Sequence, residues 1–137
     1  MSDVLLDTNI LVYLKDSSSQ FHESCLKILS TNDRFFITSK NLSEYYAVVT
    51  RGHPPLLSIE EALEDLDEFL ASFIVLYPNE NSTIKLRELI DRLKPKGIKI
   101  HDIEIIAIAL SFGVTKIATL NISDFKAIPE LQIIQPI

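Results

Sequence analysis

Five short apolar runs, at residues 4–6, 35–38, 73–77, 116–120 and 131–134, alternate along the chain with stretches of helical periodicity, and this alternation restricts the fold more than any other feature. The runs are continuous rather than alternating in polarity, as in strands covered on both faces. Parallel strands need crossovers of about a dozen residues or more, and helices supply them. The pattern therefore predicts an α/β fold, a three-layer α/β/α sandwich around a mainly parallel, five-stranded central sheet. Ile10, Leu11, Tyr13 and Leu14 mark one helix, Cys25, Leu26, Ile28 and Leu29 a second, and Leu42, Tyr45, Tyr46 and Val49 a third. A fourth starts at Ser58, which forms a capping box with Glu61 ahead of Ile59, Ala62, Leu63, Leu66, Phe69 and Leu70. Two more, over 81–93 and 102–112, separate the third and fourth strands, and Gly113 suits the C-terminal cap of the second.

Composition sets the class. A chain of 137 residues removes about two-thirds of its unfolded surface from water, and the turns at 52–55 and 94–97 are too short for linkers, so residues 1–137 are expected to form a single domain. Cys25 is the only cysteine, which excludes an internal disulfide or a cysteine-based metal cluster and suits a cytoplasmic location. The N-terminus lacks the pattern of a signal peptide. The longest uncharged apolar run, 105–114, is ten residues, well below the roughly 20 of a membrane span, so no membrane partner is expected. The net charge of −6 argues against a generally basic nucleic-acid binder. That excess is local: residues 60–68 carry six acids and no base, and the rest of the chain holds 13 charges of each sign.

In sheets of this type, ligands bind beyond the carboxyl ends of the strands, where the strand order reverses. Asp7 directly follows the first run, where it suits either a helix N-cap or a site acid on the lip of the sheet. Asp102, at the start of a helix apolar almost all round, has the same two readings. Glu44 lies among Leu42, Tyr45, Tyr46 and Val49, and an acid beside an apolar face requires solvent, a partner or a wet cavity. Asp124 and Asn121 follow the fourth run, as turn or cap residues or as site residues. Four carboxylates gathered on one sheet edge repel unless a cation joins them, and an all-oxygen cluster favours Mg²⁺ or Mn²⁺ over zinc.

The blocks 5–14 (Leu-Leu-Asp7-Thr8-Asn9-Ile-Leu-Val-Tyr-Leu), 38–44 (Thr-Ser-Lys-Asn-Leu-Ser-Glu44), 101–109 (His-Asp102-Ile-Glu-Ile-Ile-Ala-Ile-Ala) and 119–125 (Thr119-Leu-Asn121-Ile-Ser-Asp124-Phe) together resemble the PIN-domain family, particularly its small VapC-type toxins. The resemblance covers almost the whole chain. It implies a Mg²⁺- or Mn²⁺-dependent ribonuclease with Asp7, Glu44, Asp102 and Asp124 as metal-binding and catalytic acids, and Thr8, Asn9, Thr119 and Asn121 as supporting polar residues. Many relatives carry Asp at the position of Asn121, and a neutral ligand there puts a second metal in question. The resemblance also implies a homodimer and a cognate antitoxin whose extended tail sends a cationic side chain toward the acids.

Arg92, Lys94, Lys96 and Lys99 form a short basic segment just before Asp102, either an RNA-phosphate contact or a solvated turn. The three His, at 22, 53 and 101, show no metal-ligand spacing. Glu104 is expected off the metal-binding face, because two residues along a helix rotate a side chain by about 200°. Two other enzymatic or binding classes fit the first block less well. A HAD-like phosphatase with Asp7 as nucleophile wants Asp-x-Asp, and position 9 is Asn; a phospho-receiver wants an acid after its central strand, and the third run ends Tyr77-Pro78-Asn79. A catalytically degenerate PIN-like RNA-binding module is separated from the enzyme by metal-dependent cleavage.

Overall fold

The computed structural model describes residues 1–137, with the element order β1 (Asp3–Leu6), α1 (Thr8–Lys15), α2 (His22–Leu29), β2 (Arg34–Thr38), α3 (Ser39–Thr50), α4 (Ile59–Ser72), β3 (Ile74–Leu76), α5 (Glu80–Leu93), α6 (Lys99–Ser111), β4 (Lys116–Ala118), α7 (Ile122–Phe125) and β5 (Gln132–Ile134). The five strands form one sheet in the order β3-β2-β1-β4-β5, and every pair is parallel. β1 is central. Leu5 pairs with Phe36 on one side and with Ile117 on the other, and Val4, Leu5 and Leu6 are completely buried.

The path of the chain explains the layers. From β1 through β2 to β3 the sheet grows in one direction, and α1 to α4 cover one face, packed on Val4, Leu6, Ile37 and Ala118. From β3 the chain crosses back to β4, so crossovers of constant right hand fall on the other face. There Leu89 of α5 and Ile103 and Ile106 of α6 meet Leu5, Phe36, Leu76 and Ile117. The successive residues Val4, Leu5 and Leu6 thus serve alternate cores, as the two-residue strand period requires. α6 needs its almost continuous apolar surface because six of its residues, from Ile103 to Ala109, are buried.

The expected elements are present, with shifted ends. Phe73 caps α4 rather than starting β3, and residues 119–120 leave β4 to form the turn described below. The capping box at Ser58 is formed in both directions, and Gly113 follows α6 at a positive φ of 78°. The larger shift is at α6, which begins at Lys99 after Gly97 at φ 62° and not at Asp102. Asp102 is therefore in the first turn of the helix, and the cap reading of this residue is not what the fold uses. No helix is long and apolar enough to cross a membrane.

Leu5→Ala is expected to cost about 2–5 kcal/mol, by lost transfer energy plus a cavity at the middle of the sheet. Leu70→Ala, at a residue 47% exposed, should cost less than about 0.5 kcal/mol. Urea denaturation of the two variants checks the contrast.

Candidate metal centre

β1 hydrogen bonds to β4 one residue past its end: Asp7 N–H donates to the Ala118 carbonyl at 3.0 Å. The sheet order reverses between these two strands, and Asp7 sits at their carboxyl end. It also caps α1, with Oδ1 accepting from Thr8 N–H at 2.8 Å. Capping and site membership are thus compatible in one carboxylate. Oδ2 accepts from Thr119 Oγ1 at 2.7 Å and from Asn9 Nδ2 at 3.3 Å. The Asn9 side chain ties this turn to the far strand as well, reaching Thr119 Oγ1 and the Leu120 N–H, both at 3.5 Å. Asp7 is 4% exposed and Thr119 completely buried, so the carboxylate has one orientation.

Glu44 projects from the second turn of α3, which starts at the end of β2, and Asp102 from the first turn of α6. One carboxylate oxygen from each of Asp7, Glu44 and Asp102 lies within 4.8 Å of the others. Three elements from both faces of the sheet deliver them. At that separation two unit charges repel by about 3 kcal/mol at an effective dielectric near 20, and the cluster contains three such pairs. No Lys or Arg forms an ion pair with any of them; the nearby Lys40 pairs instead with Glu104 at 3.1 Å. Burial pushes the Asp7 carboxyl up from its ordinary range, against the lowering effect of its Thr119 and Thr8 hydrogen bonds, and Glu44 and Asp124 push it further. Burial and then the charges of Asp7, Glu44 and Asp124 raise Asp102 to about 6.

A cavity of about 190 Å³ opens over the trio, lined also by Thr8, Asn9, Tyr13 and Asn121. Given a share of about 30 Å³ per water, it has room for a hydrated ion or an ion with part of a phosphate. All the donors are oxygens, which fits Mg²⁺ or Mn²⁺. Asp124 lies outside the trio. It is exposed and lines an adjoining cavity with Asp102, Ser123 and Lys99. Asn121, whose N–H donates to Thr119 Oγ1 at 3.0 Å, stays over the trio. His101 lines a third hollow beside Glu44, with Lys40 and Ser43.

The basic segment is divided. Arg92 is engaged by Glu130 and Glu88, each at 2.7 Å, and Lys94 by Asp91 at 3.3 Å, whereas Lys99 faces the cavity shared with Asp102 and Asp124. The acids that neutralise Arg92 and Lys94 come from the same helix and from the β4–β5 connection, so the run of positive residues is not a continuous positive surface. Asn41 and Thr38 also support the site, a role that sequence reasoning missed. Their signal was a Thr-x-x-Asn capping box, formed in both directions at the start of α3.

The model of the PIN domain family matches residues 4–131. The chain belongs to the PIN-domain family. It is 30% identical over 133 residues to Ribonuclease VapC1 of Haemophilus influenzae (strain R2866), covering 93% of each protein. It is 30% identical over 129 residues to Ribonuclease VapC2 of Rickettsia felis, covering 93% of this chain and 92% of that one. A chain from the crystal structure of VapBC2 from Rickettsia felis bound to a DNA fragment from their promoter superposes with a TM-score of 0.76 at 26% identity, covering 97% of this chain and 98% of the other.

The electrostatics predict how stability varies with pH in metal-free protein. Asp102 has a folded pKa near 6 against an ordinary 3.8, so its contribution is fully present below about pH 4 and is lost as pH rises to 6. Asp102→Asn should then stabilise EDTA-treated protein at pH 7.5 by on the order of 1 kcal/mol, since half the carboxyl is open to solvent and screened. That exceeds the few tenths the carboxylate gains from the helix terminus. Mn²⁺ should raise the wild-type melting temperature more at pH 7.5 than at pH 5.0, and Asp102→Asn should lose most of that increment. A less stable Asp102→Asn at pH 7.5 in EDTA would contradict the repulsion.

Proposed function

We propose that this chain is a Mg²⁺- or Mn²⁺-dependent endoribonuclease, the toxin of a toxin–antitoxin pair, acting in the cytoplasm as a single-domain homodimer restrained by its antitoxin. The observation that carries the reading is the convergence of Asp7, Glu44 and Asp102 within 4.8 Å, with no cationic side chain paired to them. The likeness to VapC ribonucleases supports RNA as the substrate, and the likeness to a chain of the VapBC2 complex supports an antitoxin as the partner.

A divalent cation held by the trio would supply positive charge against the phosphoryl oxygens and ease deprotonation of the attacking water. The protein supplies the geometry. Asp7 is held by Thr119, Asn9 and the Thr8 N–H, so it does not swing when substrate enters. Glu44 and Asp102 face it from α3 and α6 across a cavity deep enough for one phosphate. No Ser, Cys or His nucleophile is needed. Both Asp7 oxygens already accept hydrogen bonds, which disfavours a covalent role for that residue.

The RNA backbone crosses the start of α6. The adjoining cavity of about 180 Å³ presents Lys99 and Ser123 beside Asp102, and Leu93, Pro95 and Ala127 give it apolar walls. Lys99 is the cation placed to hold a phosphate next to the one cleaved, with Lys96 further out along the strand. Asp124 borders this cavity and takes part as an outer acid, or with Asp102 as a ligand of a second, weaker ion.

Asp102→Asn and Glu44→Gln should each lower divalent-dependent cleavage of single-stranded RNA at least 100-fold in folded protein, while RNA binding persists. Lys99→Glu should weaken binding and reduce the slope of log affinity against log salt by about 1, leaving Mn²⁺ affinity unchanged. Cleavage at the wild-type rate in EDTA would overturn the metal-dependent reading. RNA binding without cleavage in any divalent ion would make the chain a binding relative of the ribonucleases.

A further inference from the structure

The acids at the centre of the site stand on turns that leave different strands, so their spacing depends on how those turns are held together. One side chain spans the gap between the ends of β1 and β2. Asn41 is completely buried. Its Oδ1 accepts from Thr38 N–H and from Thr38 Oγ1, both at 2.8 Å, within the capping box of α3. Its Nδ2 donates across the gap, to Thr8 Oγ1 at 3.0 Å and to the Leu6 carbonyl at 3.4 Å.

Leu6 and Thr8 flank Asp7, and Asn41 precedes Glu44 by three residues, close to one turn, on the same helix. A capping box asks only for an acceptor at this position, which Glu, Gln or Asp also meets. The donor half of the amide is surplus to the cap, and it is the half that reaches β1. Asp in its place would keep the acceptor, lose both donors and add a buried negative charge behind three existing carboxylates.

We propose that Asn41 is a positioning residue for the divalent-ion site: its amide clamps the β1–α1 turn to the start of α3 and so sets the spacing of Asp7 and Glu44. This role rests on the metal-dependent reading above. Asn41 does not touch the cavity, and it acts through the backbone at Leu6 and the hydroxyl of Thr8. Groups that orient metal ligands from behind typically change affinity by about 10–100-fold when removed.

The test uses the full chain, with two readouts. In metal-free protein, hydrogen exchange at amides 8–10 reports the clamp; Mn²⁺ titration without RNA reports the site. Asn41→Ala should speed exchange at 8–10 while leaving α6 and β4 protected, and should weaken Mn²⁺ binding about 10–100-fold. Thr8→Val breaks the clamp at its other end and leaves the cap intact, so it should show the same pair of changes. It also carries the test if Asn41→Ala does not fold. The double variant should bind Mn²⁺ no more weakly than the worse single one, because both remove one interaction. Faster exchange with Mn²⁺ affinity within twofold of wild type would overturn the positioning role, leaving Asn41 a structural cap. Unchanged exchange in both variants would overturn the clamp itself. A wild-type chain that takes up no Mn²⁺ would overturn the metal reading beneath it, and is told apart because exchange at 8–10 still responds to Asn41→Ala.

Discussion

The placement of β1 between β2 and β4 governs everything else in this molecule. As the central strand it is hydrogen-bonded on both sides and buried on both faces, so its register has no freedom. A slip of one residue would exchange Leu5 with its neighbours between two unlike cores. Asp7, the next residue, inherits that rigidity and extends it by donating to Ala118. The reversal of sheet direction at the same place opens the crevice into which Asp7 projects, because the crossovers leaving β1 and entering β4 lie on opposite faces. α3 and α6, packed on opposite faces, then reach the crevice from both sides with Glu44 and Asp102.

That arrangement sets stability against function. The fold spends burial energy to hold three carboxylates where burial, and then their mutual repulsion, raises the pKa values of Asp7 and Asp102. A site built for stability would place a Lys or Arg among them. Lys40, which lines the hollow beside Glu44, is held by Glu104, two residues along α6 from Asp102; this acid, expected off the metal-binding face, serves as an ion-pair partner. An unpaired trio is the arrangement that an external cation would complete, and the Lys40–Glu104 pair at the rim preserves it.

Much of this was legible in the chain, and the reasons for the exceptions are specific. Continuous apolar runs separated by helical periods give a doubly covered parallel sheet almost by elimination, and the cap at Ser58 and the glycine at 113 depend on local chemistry that a sequence displays directly. The start of α6 was less visible. Lys99, Ile100 and His101 carry no capping signal, and Ile98 caps without a side-chain bond, so Asp102 looked like the first residue of its helix. The basic segment left two readings open for another reason: Glu88 and Asp91 are local partners that a sequence displays, but Glu130, which also engages Arg92, lies 38 residues away. Asn41 was hidden because its cap reads as purely local, whereas its second function requires knowing that β2 lies beside β1. Long-range partners, unlike periods and caps, leave no mark on a single sequence.

The acidic stretch of α4 shows the same distinction between local and distant work. Of the six acids between residues 60 and 68, Glu60, Glu64 and Asp67 are exposed to solvent. The other three are engaged. Glu61 completes the cap with Ser58, Glu68 pairs with Lys15 of α1, and Asp65 accepts the Tyr45 hydroxyl at 2.6 Å. Tyr45 is completely buried, its ring edge-on to Phe69 at 4.9 Å. Burial and the Asp65 carboxylate both push its phenol up, so it stays a donor at every working pH. Tyr45 adjoins Glu44, and on a helix adjacent side chains diverge by about 100°. Seating Tyr45 in the core between α3 and α4 therefore sets the rotation of α3 and turns Glu44 toward the crevice. An acid in the stretch that makes the protein anionic thus helps orient one of the three acids of the candidate metal centre, through a tyrosine that lies outside the cavity.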